Sequence, residues 1–279
     1  MAVRCSSHVE FYGVRGLSND GSTAYTIDTS GYRGAALPSS GTNAYDYSKI
    51  QGLPEVDIRI SLLMERLRYC VSSRAPRVLE VGIGAGDVTI KLAGAFPNVT
   101  SVDMDEAWIE LARNRIQGKG LRSPRFVLGK IEDIEFQDGE FDHIILLGIL
   151  EHLQDPPGVL EIMKGWLNPD GVVHVTVNLA HSLHRRLGVA MGLIRDVEQL
   201  GESDRRLGHE WIYTKSLLTD HLRTAGFEVR YNRPFYVKPL PTSMLSNLPM
   251  EVHRGLDELA NSLPQLASYI YVEAIKVMD

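Results

Sequence analysis

Val78-Leu79-Glu80-Val81-Gly82-Ile83-Gly84-Ala85-Gly86-Asp87 is the stretch that decides how this 279-residue chain is read. A short apolar run, Arg77–Val81, has the pattern of a buried strand. It passes into three glycines at alternate positions and then into a helical segment, Gly86–Phe96, in which Val88, Leu92 and Phe96 share a face. Glycine permits a tight turn and lets backbone approach a bound molecule closely. The dinucleotide fingerprint G-x-G-x-x-G fails in both registers, because its last glycine falls on Asp87 or on Thr89. The Asp87 carboxylate would also oppose a pyrophosphate at the helix start. No Gly-Lys-Ser/Thr follows, so the stretch is not a P-loop either.

Working outward, strands and helices alternate. Upstream, Val56, Ile60, Leu63, Met64, Leu67 and Val71 mark one face of a helix that begins at Pro54 and stops before Pro76. Downstream, Asn98–Met104 reads as a strand, and Asp105 caps a helix carrying Trp108, Leu111, Ala112 and Ile116 that ends at Gly118. Phe126–Leu128 and Phe141–Leu147 are further strands, Pro157–Leu167 a helix, and Asn168-Pro169-Asp170-Gly171 a turn into strand Val172–Val177. Thr214 caps a helix closed by Gly226, followed by strands Phe227–Tyr231 and Ser268–Val277. Continuously apolar strands alternating with helices predict a doubly wound, mostly parallel α/β sheet. Residues 46–279 form this domain. Segments 179–213 and 234–266 interrupt it as inserted lids, the first with an amphipathic helix on Leu187, Ala190, Met191 and Ile194. Residues 1–45, poor in Leu, Ile and Val but holding Tyr12, Tyr25, Tyr32 and Tyr45, read as a docked arm or lid, with a floppy tail as the alternative.

The run E-x-G-x-G-x-G from Glu80 to Gly86 resembles the first motif of the class I S-adenosylmethionine-dependent methyltransferases. The second motif is similar too: Val99-Thr100-Ser101-Val102-Asp103-Met104-Asp105 ends a strand with an acid 21 residues beyond Gly82. A third, Gly129-Lys130-Ile131-Glu132-Asp133-Ile134 and onward to Asp142, looks like that family's G-D-A-E-D-L-P-F-x-D-G-x-F-D, with Lys130 departing from the usual aspartate. The resemblance spans roughly residues 54–232. It implies a seven-stranded sheet with its last strand antiparallel, and S-adenosylmethionine as cofactor. It puts Glu80, Gly82, Gly84 and Gly86 around the methionine part, Asp103 on the ribose hydroxyls, and Met104, Ile131 and Glu132 about the adenine. The Gly148 carbonyl would meet the cofactor's ammonium group.

Acid–base groups stand in two segments. Leu147-Gly148-Ile149-Leu150-Glu151-His152 closes the fourth strand, where open α/β sheets place ligands. Leu207-Gly208-His209-Glu210-Trp211 precedes the helix capped by Thr214. The two are similar to the Glu-His and Gly-x-His-x-Trp elements of ubiquinone-type O-methyltransferases. Some relatives bind a divalent metal through Glu-x-x-Glu-His and a later His. Here Gly148 stands in place of the first Glu, so no metal is expected, and His152 and His209 are the candidate catalytic residues. His181 and His184 start the inserted helix as lid or surface groups, whereas His8, His143, His174, His221 and His253 belong to no constellation.

Composition narrows the partners. With 29 basic and 35 acidic residues the net charge is −6, which disfavours a nucleic-acid partner held by phosphate neutralisation. The longest apolar run, Ile144–Leu150, is far too short to span a membrane, and residues 1–11 contain no signal-peptide core. Cys5 and Cys70 have no metal-type spacing, which fits a reducing cytoplasmic setting. The family resemblance implies methyl transfer to an oxygen or nitrogen of a small molecule such as a secondary metabolite or sugar. RNA or protein methylation, or a catalytically silent cofactor-binding partner subunit, are the alternatives. Oligomeric state is not legible.

Overall fold

A computed structural model describes residues 53–70 and 75–277. The expected arm at residues 1–45 lies outside these described residues. Seven strands are present: β1 (Arg77–Val81), β2 (Asn98–Asp103), β3 (Arg125–Leu128), β4 (Phe141–Leu147), β5 (Leu167–Asn178), β6 (Phe227–Phe235) and β7 (Tyr269–Lys276). They form one sheet in the order β3-β2-β1-β4-β5-β7-β6. β1 through β5 pair in parallel, and β7 runs antiparallel to both β5 and β6. The expected doubly wound, mostly parallel sheet with an antiparallel final strand is therefore what the chain builds.

Its helices are α1 (Pro54–Cys70), α2 (Asp87–Ala95), α3 (Glu106–Gly118), α4 (Pro156–Trp166), α5 (Leu183–Ala190), α6 (Glu202–Arg206), α7 (Lys215–Thr224), α8 (Thr242–Leu245) and α9 (Met250–Ser262). Side chains of successive strand residues alternate between the two faces. Ile270, Val272 and Ala274 of β7 join Val159, Leu160 and Met163 of α4 and Leu218 and Leu222 of α7 on one side. Tyr269 and Tyr271 join Ile60, Leu63 and Leu67 of α1 on the other. Caps fall where the sequence placed them: Asp105 accepts from the Ala107 amide, and Thr214 from the Leu217 amide. Among the described residues no helix is long and apolar enough to cross a membrane.

Three expectations need correction. The turn 168–171 is a bulge inside β5, since Phe141 pairs with Leu167 and His143 with Val172, so extra residues loop out opposite one step of β4. β6 continues past Tyr231 to Phe235, because Arg233, Pro234 and Phe235 still find partners on β7. The inserted amphipathic helix stops at Ala190, with Met191 as its cap and Ile194 beyond it, and buries no residue.

Candidate functional site

The order of the sheet creates the site. The parallel strands β1 and β4 are neighbours at which the strand order reverses, and open α/β sheets bind ligands outside the carboxyl ends of the strands at such a switch point. The two loops that leave these strands are Gly82–Gly86 and Gly148–His152.

The first loop requires its glycines. Gly82, Gly84 and Gly86 have φ of 80°, 50° and 81°, a region that side chains other than glycine rarely enter. A Cβ on Gly82 would sit 2.2 Å from Cδ1 of Ile149, so the β1 and β4 loops touch there. Behind the loop, the Glu80 carboxylate is buried and accepts hydrogen bonds from Thr89 Oγ1 (3.0 Å) and Ser101 Oγ (2.7 Å). Burial pushes its pKa up to about 8. Glu80 thus ties β1 to α2 and β2 from below the loop. Asp87 opens α2 and pairs with Arg115 of α3 at 2.7 Å.

At the end of β2, Asp103 Oδ2 accepts from the Ile83 amide at 2.7 Å and the Gly84 amide at 3.4 Å, while Oδ1 accepts from the Asp105 amide at 2.9 Å. Its pKa is raised by burial, against which the backbone hydrogen bonds act. Met104 beside it is 67% exposed, Glu132 is exposed, and Ile131 is buried.

The second loop holds the titratable groups. Gly148 has φ 72°, and a Cβ there would lie 3.5 Å from an Arg59 guanidinium nitrogen and 3.7 Å from Glu151 Oε1. Glu151 is buried, its Oε2 has no hydrogen-bond partner, and burial raises its pKa. Arg59 Nε is likewise buried without a partner, and the guanidinium lies 5.2 Å from the Tyr269 ring centre. His152 and His209 meet edge to face with ring centres 4.7 Å apart. Burial, with His209 alongside, lowers the His152 pKa to about 4.

The end of the first insert is stitched to this turn. The Glu210 amide donates to the Glu151 carbonyl at 2.7 Å, Trp211 Nε1 to the Leu153 carbonyl at 2.8 Å, and Tyr213 OH reaches the Leu150 carbonyl at 3.5 Å. Sequence reading brought Glu151, His152 and His209 to one place, and the structure does the same. It missed Arg59, because nothing in an amphipathic α1 marks one arginine as turned toward a loop 89 residues later. Among the described residues no three His, Cys, Asp or Glu side chains form a group that could hold a metal ion.

A family model described as a methyltransferase domain matches residues 79–175. The chain is 29% identical over 178 residues to a ubiquinone biosynthesis O-methyltransferase of Marinobacter nauticus, covering 62% of this chain and 71% of that one. It is 34% identical over 113 residues to a trans-aconitate 2-methyltransferase of Deinococcus radiodurans, covering 40% and 42%. The chain spans between 25% and 71% of the length of the first curated relatives it matches. In fold it resembles a magnesium protoporphyrin IX methyltransferase from Synechocystis PCC 6803 solved with S-adenosylhomocysteine, at TM-score 0.56 and 14% identity, over 78% of this chain and 82% of that one.

Proposed function

We propose that this chain, which belongs to the class I S-adenosylmethionine-dependent methyltransferases, transfers the methyl group of that cofactor to an oxygen of a small molecule. The observation that carries the reading is the meeting of two unlike half-sites at the sheet's switch point. One is a glycine loop closed by Asp103, and the other is the cluster Glu151, His152 and His209. An amine acceptor, or a sugar or secondary metabolite in particular, remains within the same reading.

The residues suit the cofactor. Three positive-φ glycines make a cradle whose Ile83 and Gly84 amides are already taken by the Asp103 carboxylate and whose helix opens on Asp87, in keeping with a ligand that has no phosphate. An ionised carboxylate offers about four lone-pair directions, and the backbone bonds to Asp103 use three. Asp103 therefore keeps capacity for ribose hydroxyls, with the exposed Met104 beside it and Ile131 and Glu132 on the neighbouring turn. Glu80, buried and tied to Thr89 and Ser101, acts as a strut for the loop. Gly148, Arg59 and Glu151 gather orphaned donors and acceptors where an amino-acid group of opposite charges fits.

The cofactor supplies a methyl group already made electrophilic by its sulfonium. The protein's part is to orient the acceptor in line, exclude water and take a proton from a hydroxyl. With a pKa near 4, His152 is neutral at physiological pH and can accept one. His209, entering from the insert, is the second group within reach of the same point.

Calorimetry with S-adenosylhomocysteine and with NAD tests the binding half. The expected result is a heat signal with the first and none with NAD, and the reverse result would sink the reading. Incubation with S-adenosylmethionine and a panel of catechols, polycarboxylates, sugars and primary amines, read by mass spectrometry, tests the acceptor. Methylation of amines alone would remove the proton-accepting role.

A further inference from the structure

The insert that delivers His209 carries a second acid, Asp204, which the sequence did not single out. Asp204 lies on α6, five residues before His209, and its Oδ1 is 3.5 Å from His209 Nδ1. Its other oxygen is held twice, by the Gly201 amide at 2.8 Å and by Arg185 of α5 at 3.0 Å. Arg185 is itself anchored by the carbonyls of Val197 (2.7 Å) and Gln199. The His209 amide donates to the Asp204 carbonyl at 3.0 Å, so ring and carboxylate are locked together through the main chain as well.

We propose that Asp204 is a positioning residue: it accepts a hydrogen bond from Nδ1–H of His209 and so keeps Nε2 unprotonated, the form in which the ring takes a proton from an acceptor hydroxyl. This rests on the reading in which His209 serves as a base. A base in reach of its target, oriented by a third group that is itself held, is the arrangement found wherever a nucleophile is activated. Catalytic hydrogen bonds are often long until substrate tightens them, and a 3.5 Å approach lies in that range. Burial alone would raise the Asp204 pKa, but hydrogen bonds from His209, Gly201 and Arg185 outweigh it and hold the carboxylate well below its usual range. It therefore stays charged opposite the ring. The other charged or titratable groups facing His209 are Glu151 and His152 on the turn after β4, with Arg185 behind Asp204 and Arg59 of α1 acting on Glu151. The short α6, which buries nothing of its own, acquires a purpose in this scheme.

The test is nitrogen-15 and proton NMR on the histidine rings of the full chain saturated with S-adenosylhomocysteine. Wild-type His209 is expected as the Nδ1–H tautomer at neutral pH. In Asp204→Ala the ring loses the acceptor that selects this tautomer. The tautomer should shift toward Nε2–H while the S-adenosylhomocysteine dissociation constant stays within about twofold. Arg185→Gln, which frees Asp204 without removing it, should give a smaller shift in the same direction. An unchanged His209 tautomer in Asp204→Ala overturns the proposal. So does an Nε2–H tautomer in the wild type, a measurement that needs no variant to fold. A wild-type protein that binds no S-adenosylhomocysteine takes the functional reading down with it, and that failure is visible in a separate signal.

Discussion

Among the described residues two pairs of histidines are treated oppositely. His143 of β4 and His174 of β5 are sealed within the sheet face that packs on α1. His143 Nδ1 lies 3.0 Å from His174 Nε2, whose Nδ1 lies 2.6 Å from Tyr271 OH. Tyr271 OH reaches Glu273 at 3.4 Å, and Glu273 is gripped by Arg66 at 2.6 and 2.9 Å. Both rings are used inside the protein. His152 and His209 lie beyond the strand ends, meet each other only edge to face, are held from the insert side by the backbone at 207–208 and by Asp204, and stand beside a Glu151 carboxylate oxygen that is buried with no partner. A fully satisfied buried polar chain rigidifies a core, whereas unsatisfied groups at a strand end are what a ligand can complete.

The largest effect expected from this contrast is on rate. His152→Ala should lower turnover by about 10²–10⁴ with cofactor affinity unchanged, the span of general acid–base contributions. Steady-state kinetics beside calorimetry measures both, and full turnover in the variant would leave only orientation and water exclusion as catalytic devices. Asp103→Ala separates binding from chemistry. It should weaken S-adenosylhomocysteine binding by about 1.5–3 kcal/mol, as for hydrogen bonds to a charged group, and unchanged affinity would mean the ribose is held elsewhere.

The sealed pair should answer in stability instead. His174→Leu strands His143 and Tyr271 and should cost about 1–3 kcal/mol for each buried group left unpaired, seen in denaturant unfolding, with S-adenosylhomocysteine affinity preserved. Loss of binding without loss of stability would erase the distinction between the pairs.

The smallest effect is a pH slope. Burial lowers the pKa of both His143 and His174 below the ordinary value of 6.5. Below that value the unfolded chain binds protons that the native rings refuse, so their contribution is complete above about pH 6.5 and declines as pH falls. Each ring adds at most about 1.4 kcal/mol per pH unit. Unfolding free energies of wild type and His174→Leu between mildly acidic and neutral pH should show a steeper fall in the wild type. Parallel curves would show that His174 titrates alike in the folded and unfolded chains.

Much of this architecture is written locally. Short, continuously apolar runs alternating with helical periods placed all seven strands, and glycines at alternate positions after Val81 marked the loop that follows the first of them. Caps at Asp105 and Thr214 depend on a side chain reaching amides two or three residues away, and such short-range bonds are readable in sequence. The bulge at residues 168–171 was misread because Asn-Pro-Asp-Gly has turn chemistry, and only pairing with β4 holds it in the strand.

Sequence by itself settled the order of strands and helices, the glycine loop with Asp103 behind it, and the two segments that carry Glu151, His152 and His209. Their chemistry lies in residue types at fixed spacings, which needs no knowledge of the rest of the chain. Tertiary structure alone decided the polar partnerships. His143, His174, His221 and His253 belong to no sequence constellation, yet His174 bonds Tyr271, His221 lies 3.1 Å from Tyr213 OH and His253 lies 2.6 Å from Tyr236 OH. Arg59 came to face Gly148, and Asp204 to face His209, by the same route. A buried polar group is satisfied by whatever the packing of distant strands and helices brings within about 3 Å, a distance unrelated to separation along the chain.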